Sequence, residues 1–268
     1  MDSELEEIEF LALSANRVAV LDALQEGTYS RRDLEELTGA SQPTLGRILR
    51  DFDERNWIDR TDEGYEATAT GRLVAAGITD LTEIVATELK LRDVVRWLPT
   101  DELDVDLRAF RDATITVPTQ TRPSAPVQRT TDLLRNADRV RIVSYAFNER
   151  SLEIVRRRTL EDGQTFEGVF SAAAIEALAD DELLRRQLRE LVDSERAEIR
   201  VHDGPVPLAV TITEGVAQLL LRDEDGVLQA ALDAEDPRVL SWAREAHERY
   251  WTDGRPLEAS DLDRGREE

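Results

Sequence analysis

The segment SRRDLEELTGASQPTLGRILRDFDERNWIDRTDEGYEATAT, Ser30 to Thr70, sets out two helices, a tight turn between them and a hairpin. Ser30 and Asp33 form a capping box that opens a helix with Leu34 and Leu37 turned inward. Thr38-Gly39-Ala40 makes the turn, with the glycine where a left-handed backbone is needed. Ser41 caps the second helix, and Pro43 is tolerated in its first turn because no intrahelical donor is required there. Leu45, Ile48, Leu49 and Phe52 recur at helical spacing as one apolar stripe, which leaves Gln42, Thr44, Arg47 and Arg50 facing outward. A helix, a three-residue turn and a second helix with polar and arginine residues near its start is the helix-turn-helix pattern. Trp57 to Arg60 then reads as a strand, Thr61 to Gly64 as a turn and Tyr65 to Thr68 as the return strand, a wing. Thr68 or Thr70 caps the helix that follows through Gly71 and Leu73.

The chain around this segment has 268 residues, enough for two domains. Hydrophobic residues make up 41% and charged ones 34%, which supports packed cores under a densely charged surface and excludes a disordered chain. No apolar run approaches the roughly 18 residues that cross a bilayer, and the start, MDSELEEIEF, is acidic where a secretory signal is basic then apolar. The expected location is therefore the cytoplasm, with no membrane partner. The absence of cysteine excludes disulfides and thiolate metal sites. Acidic residues outnumber basic ones 57 to 34, for a net charge of −23, and Lys90 is the single lysine. A surface so rich in carboxylates and so poor in lysine resembles proteins of salt-accumulating halophiles. Concentrated salt is expected to screen its self-repulsion.

Beyond the wing, Leu81, Ile84, Val85, Leu91, Val95 and Leu98 mark a helix over 80–98, with Asp80 and Glu83 as its capping box. The Pro-, Thr- and Asp-rich stretch 99–125 reads as a linker, with a short strand possible at Thr114 to Val117. From Pro126 the pattern alternates: a helix over 127–137, a strand over 139–145, a helix over 149–160, a strand over 165–170 and mostly helix over 172–193. Strands follow at 197–201, 208–213, 216–221 and 227–232, and Pro237 opens a final helix. The expected fold class is α+β or α/β: a winged helix-turn-helix over 1–78, a linker helix over 79–98, a linker over 99–125, a mixed α/β sensor or dimerisation domain over 126–256 and an acidic tail over 257–268.

SRRDLEELTGASQPTLGRILRDFDERNWI followed by GYEATATGRLV resembles winged-helix regulators of the ArsR and MarR type. With RVRIVSYAF, VPLAVTITEGVAQLLLRDEDGVLQAAL and DPRVLSWAREAHERYW, the chain is more similar still to archaeal, haloarchaeal-type regulators that append an α/β domain named after a methanogenesis and filamentation regulator (the FilR type). The resemblance implies a usually dimeric transcription regulator whose partner is double-stranded DNA. It places Ser41, Gln42, Thr44, Arg47 and Arg50 against the major groove and Arg60 in the wing. Chemistry agrees: arginine pairs bidentately with guanine and glutamine with adenine, threonine touches a thymine methyl, and Ser41 with the first helical amides can hold a phosphate. Solvated helix surface is the competing reading for each, with Arg50 paired to Asp53 or Glu54. Between Ser30 and Arg60 six arginines face seven acids, a local balance near −1 that is poor for a phosphate binder in dilute buffer.

Catalytic patterns are missing. His202 and His247 are distant in sequence and read as surface or loop residues, and there is no Walker A, G-x-G-x-x-G or G-x-S-x-G motif. The order of elements in the second half loosely resembles phospholipase D-like effector domains, whose chemistry needs paired His and Lys; Lys90 lies outside 126–256. Acidic runs at Asp180-Asp181-Glu182 and Asp223-Glu224-Asp225 read as solvated surface, so no metal, cofactor or enzymatic activity is expected. Tyr145, Phe147, Phe166, Phe170, Trp242 and Trp251 suit a core, or a pocket for an apolar effector. Ser144 and Tyr145 end the best-defined strand, where open α/β sheets bind ligands, and are the candidate effector site. The rival function is a winged helix used for contact with the transcription machinery, without specific DNA binding.

Overall fold

The computed structural model describes residues 2–146, 149–179 and 181–262; Phe147 and Asp180, singled out above, lie outside them. The chain forms two compact units, Met1–Glu88 and Leu89–Glu268.

In the first unit α1 (Asp2–Ala12), α2 (Ala15–Glu26), α3 (Arg31–Thr38) and α4 (Gln42–Glu54) precede a hairpin of β1 (Ile58–Arg60) and β2 (Tyr65–Ala67), then α5 (Ala69–Leu91). Its core holds Val20, Leu21 and Leu24 of α2, Leu34 of α3, the whole apolar stripe of α4, and Trp57 and Ile58. Phe10 packs edge-on against Phe52 and Trp57, while the guanidinium groups of Arg17 and Arg55 lie 3.9 and 3.8 Å from its ring centre. Leu37 differs from the expectation and is 60% exposed. With only eight residues, α3 meets α2 and α4 around Leu34, and its last turn carries Leu37 past that contact. The expected helix break at Asp80 is also absent. Thr68 caps α5 instead, accepting from the Gly71 amide at 3.0 Å, and the helix runs unbroken to Leu91, so Asp80 meets no orphan amides. Gly71 is required by space, since a Cβ there would sit 1.8 Å from the Trp57 carbonyl oxygen.

In the second unit β3 (Thr114–Thr116), α6 (Ala125–Asn136), β4 (Arg139–Ser144), α7 (Glu149–Asp162), β5 (Thr165–Ser171), α8 (Ala172–Ala179), α9 (Glu182–Val192), β6 (Ala197–His202), β7 (Val210–Ile212), β8 (Ala217–Arg222), β9 (Leu228–Ala234), α10 (Pro237–Asp253) and β10 (Arg255–Pro256) follow in order. Among the described residues they build one eight-stranded sheet, ordered β10-β6-β5-β4-β7-β8-β9-β3. β4, β5 and β6 are parallel, and the other pairs antiparallel. Strand alternation splits the apolar side chains into two cores. Val143, Val169, Val210, Ile212, Leu219 and Leu232 pack with α10 on one face. Val140, Phe166, Phe170, Ile199 and Val201 pack with α6 to α9 on the other. A polar row crosses that second face, in register from Thr211 through Gln218 to Asp233. There Gln218 donates to the buried Asp233 carboxylate at 2.7 Å, and Arg129 of α6 also pairs with it.

Residues 99–125 are not a linker. Leu98, Ala109, Phe110 and Ala113 join the α10-side core, β3 pairs with β9, and Lys90 donates to the carbonyls of Arg111 and Ala113. The prolines lie in turns and connections, Thr114 and Thr116 belong to β3, and apolar residues among them find the sheet. Nor is 257–268 wholly a tail, because Leu257 and Leu262 are 4% and 1% exposed in the opposite core. Among the described residues no helix is long and apolar enough to cross a membrane.

His202 is not a loop residue but the last residue of β6, half-buried, edge-on against Tyr250 and 3.1 Å from the Gly204 carbonyl. Nor is His247 a surface or loop residue, being 1% exposed in α10 and stacked on Trp251. Burial, aided by the Arg141 guanidinium, holds its pKa down to about 4. The neutral ring therefore contributes stability that is complete above the unfolded value of about 6.5 and is lost as pH falls toward 4. Titrated from pH 6.5 to 4, a His247→Gln variant should lose about 2–3 kcal/mol less stability than the parent; coincident curves would remove His247 from the acid response. Phe110, fully buried, gives a second test. Phe110→Ala is expected to destabilise the second unit by about 3–5 kcal/mol in denaturant melts, whereas an unchanged midpoint would restore the linker reading.

Candidate nucleic-acid interface

Capping and turn chemistry set the geometry. Ser30 accepts from the Asp33 amide while Asp33 accepts from the Ser30 amide, closing the reciprocal box at the start of α3. Gly39 ends the helix at φ 67°, and its N–H donates to the Glu35 carbonyl. The chain then enters α4 with Leu45, Ile48, Leu49 and Phe52 at 0–2% exposure, which fixes the rotation of that helix about its axis.

The opposite face carries Gln42, Thr44, Arg47 and Arg50. Arg47 and Arg50, three residues apart, are both exposed, and Arg60 is exposed at the end of β1. Other arginines of this unit are engaged: Arg17 with Asp51, Arg32 with Glu36, Arg55 with Glu7, and Arg31 with the Tyr65 hydroxyl. Among the described residues Arg47, Arg50 and Arg60 form no ion pair or hydrogen bond through their side chains, and Arg50 pairs with neither Asp53 nor Glu54. Three guanidinium groups thus remain open in an environment crowded with carboxylates.

The other three candidates are arranged differently. Gln42 is exposed, yet its amide nitrogen turns back on α3, donating to the Glu35 carboxylate at 2.5 Å and the Arg31 carbonyl at 3.5 Å. Ser41 has the extended backbone of an N-cap but no side-chain cap bond; its hydroxyl pairs with that of Thr44 at 3.0 Å. Pro43 supplies no N–H to be capped, and the Thr44 hydroxyl competes for the serine. The first-turn amides of α4 therefore lack a side-chain cap, while Thr44 is half-buried beside them. Sequence reasoning missed Glu35 and Tyr65, which hold Gln42 and Arg31; their signal was weak, because neither lies on α4.

Ser144 and Tyr145 do not share a cavity. Ser144 is buried on the α6 and α7 side, with its hydroxyl donating to the Ala146 carbonyl at 2.8 Å. Tyr145 packs against the α10-side core, where burial raises its phenol pKa, and lines a small space with Trp97, Pro99 and Arg222. The aromatic set divides likewise: Trp242 and Trp251 belong to one core, Phe166 and Phe170 to the other. Asp181 caps α9, and Asp223 accepts from the Val227 amide and Gln229 in its turn. Among the described residues no group of three or more His, Cys, Asp or Glu is placed to hold a metal ion.

Comparisons with known proteins bear on both units. Residues 5–90 match the family model described as the HVO_A0261 N-terminal domain. Residues 123–253 match that of the methanogenesis regulatory protein FilR1, middle domain. No curated protein matches the chain. Among solved structures it is similar to TrmBL2, an archaeal chromatin protein described as showing a novel mode of DNA binding, at 14% identity and a TM-score of 0.41, over 94% of this chain and 100% of that one. It is also similar to Nuc of Salmonella typhimurium, a phospholipase D family member, at 13% identity and a TM-score of 0.44, over 55% of this chain and 99% of that one. NucT of Helicobacter pylori matches at 11% identity and a TM-score of 0.44, over 54% and 98%. The first unit is thus similar to the HVO_A0261 N-terminal domain, and most of the second to the FilR1 middle domain.

Proposed function

We propose that the protein is a sequence-specific, non-enzymatic DNA-binding transcription regulator of the ArsR/MarR-like kind, from the cytoplasm of a halophilic archaeon. The observation that carries this reading is the unpaired state of Arg47, Arg50 and Arg60. In a chain with 57 acids and 34 basic residues, leaving three exposed arginines without carboxylates suits a face kept for another anion. Arg47 and Arg50 reach the major groove, Arg60 contacts the backbone beside the wing, and Ser41, Thr44 and the first amides of α4 receive a phosphate. Gln42 reads a base after leaving Glu35.

Replacing Arg47 and Arg50 together by Ala should weaken binding to a selected operator by about thirtyfold to ten-thousandfold, since each arginine–base pairing removed costs about 1–3 kcal/mol. Arg32→Ala, which breaks an exposed pair, should change little. Identical footprints for parent and double variant would favour the protein-contact reading. Affinity should also persist into molar KCl, because the local charge supplies little counterion release. A steep monotonic fall with salt would refute that part.

The second unit acts as a sensor or dimerisation domain, and the regulator works as a homodimer on a dyad operator. Leu81, Ile84, Val85 and Leu89 support a role for α5 in that contact: they recur at helical spacing and are 41–54% exposed. An Ile84→Glu, Val85→Glu variant should run as a monomer in light scattering where the parent is a dimer; an unchanged mass would move the contact elsewhere.

A further inference from the structure

Beneath α6 and α7, at the C-terminal ends of β4 and β5, lies a cavity of about 60 Å³. Its walls are hydrocarbon: Ile142, Leu152, Val155, Phe166, Phe170 and Leu220. Among the described residues no charged side chain lines it, which is unusual in a chain that is 34% charged. Its polar contributions are hydroxyls. Thr130 donates to the Pro126 carbonyl at 3.1 Å, and Ser144 is committed to both polar backbone atoms of Ala146. Thr211 differs: its side chain is on the same face as Ile142, the residue is 3% exposed, and among the described residues its hydroxyl has no hydrogen-bond partner. Farther along the same row, Gln218 donates to Asp233, and its own amide oxygen is buried without a partner.

A hydroxyl on a nearly buried residue, lining an apolar cavity without a protein partner, carries part of the desolvation cost of a bond it does not make. A ligand able to supply that bond recovers it, provided the rest of the ligand suits the apolar walls. An ionised ligand would instead be stripped of water with no opposite charge to meet it. The geometry points to a binding site for a small neutral molecule with a hydrocarbon body and one carbonyl or hydroxyl group, held through Thr211. A carbonyl would accept from Oγ1, and a hydroxyl would donate to it. The site belongs to the second unit alone, so it stands or falls independently of DNA binding by the first.

The test uses the full chain in concentrated KCl without DNA, titrated by ligand-observed NMR with 2-butanone and with propionate, which has the same number of non-hydrogen atoms and a charge. Saturable binding of 2-butanone and none of propionate is the expected result. Thr211→Val, which keeps the shape and removes the hydroxyl, should weaken 2-butanone about five- to tenfold with an unchanged melting temperature. Val155→Phe, which fills the space, should abolish binding, with the melting curve showing that the chain is folded. Equal binding of ketone and carboxylate, no saturation up to the solubility limit, or indifference to both substitutions would overturn the assignment.

Discussion

Burial of Leu45, Ile48, Leu49 and Phe52 is the constraint on which the candidate interface depends. It fixes the phase of α4, and with it the direction of Arg47 and Arg50. In so acidic a chain the alternative is a helix rolled to hand those arginines to neighbouring carboxylates. Magnitudes decide between the two. Each large apolar side chain withdrawn from water contributes about 1.5–3 kcal/mol, and an exposed ion pair about 0–1. Four buried side chains outweigh two surface pairs, so the core keeps the guanidinium groups pointing outward.

The same competition resolves the other way where a carboxylate is near and no apolar anchor opposes it. Gln42 has nothing to hold it outward, and Glu35 on α3 captures its amide. Arg32 pairs with Glu36 one turn along its own helix. In the second unit the polar row from Thr211 to Asp233 lies beneath α6, anchored at one end where Asp233 accepts from both Gln218 and Arg129. At its other end, at Thr211, the cavity begins.

Much of this was legible in the sequence. The capping box at Ser30, the left-handed Gly39, the α4 stripe, the wing and the alternating elements from Arg139 to Asp253 follow from local signals, and local signals are what periodicity and capping report. Non-local features were not legible. Phe110 sits among prolines, threonines and aspartates that announce a loop, and only the sheet across from it makes it core. His247 looks like surface on an acidic helix until Trp251 and β4 enclose it. Asp80 and Glu83 have the spacing of a cap, but a helix already running from Ala69 gives them no free amide. At the interface the helix face was readable, and the tethering of Gln42 by Glu35 was not.

The short strand Arg255–Pro256 and the turn that tucks Leu257 and Leu262 into the sheet lie beyond residue 253, where the matched domain model ends. A shortened protein cut there would bare the outer backbone edge of β6 and uncover Ile199 and Val201 beneath it. An unprotected edge of that kind recruits other strands. Fragments made to isolate this domain should therefore keep every residue through Leu262, or they will trade a folded sheet for a sticky one.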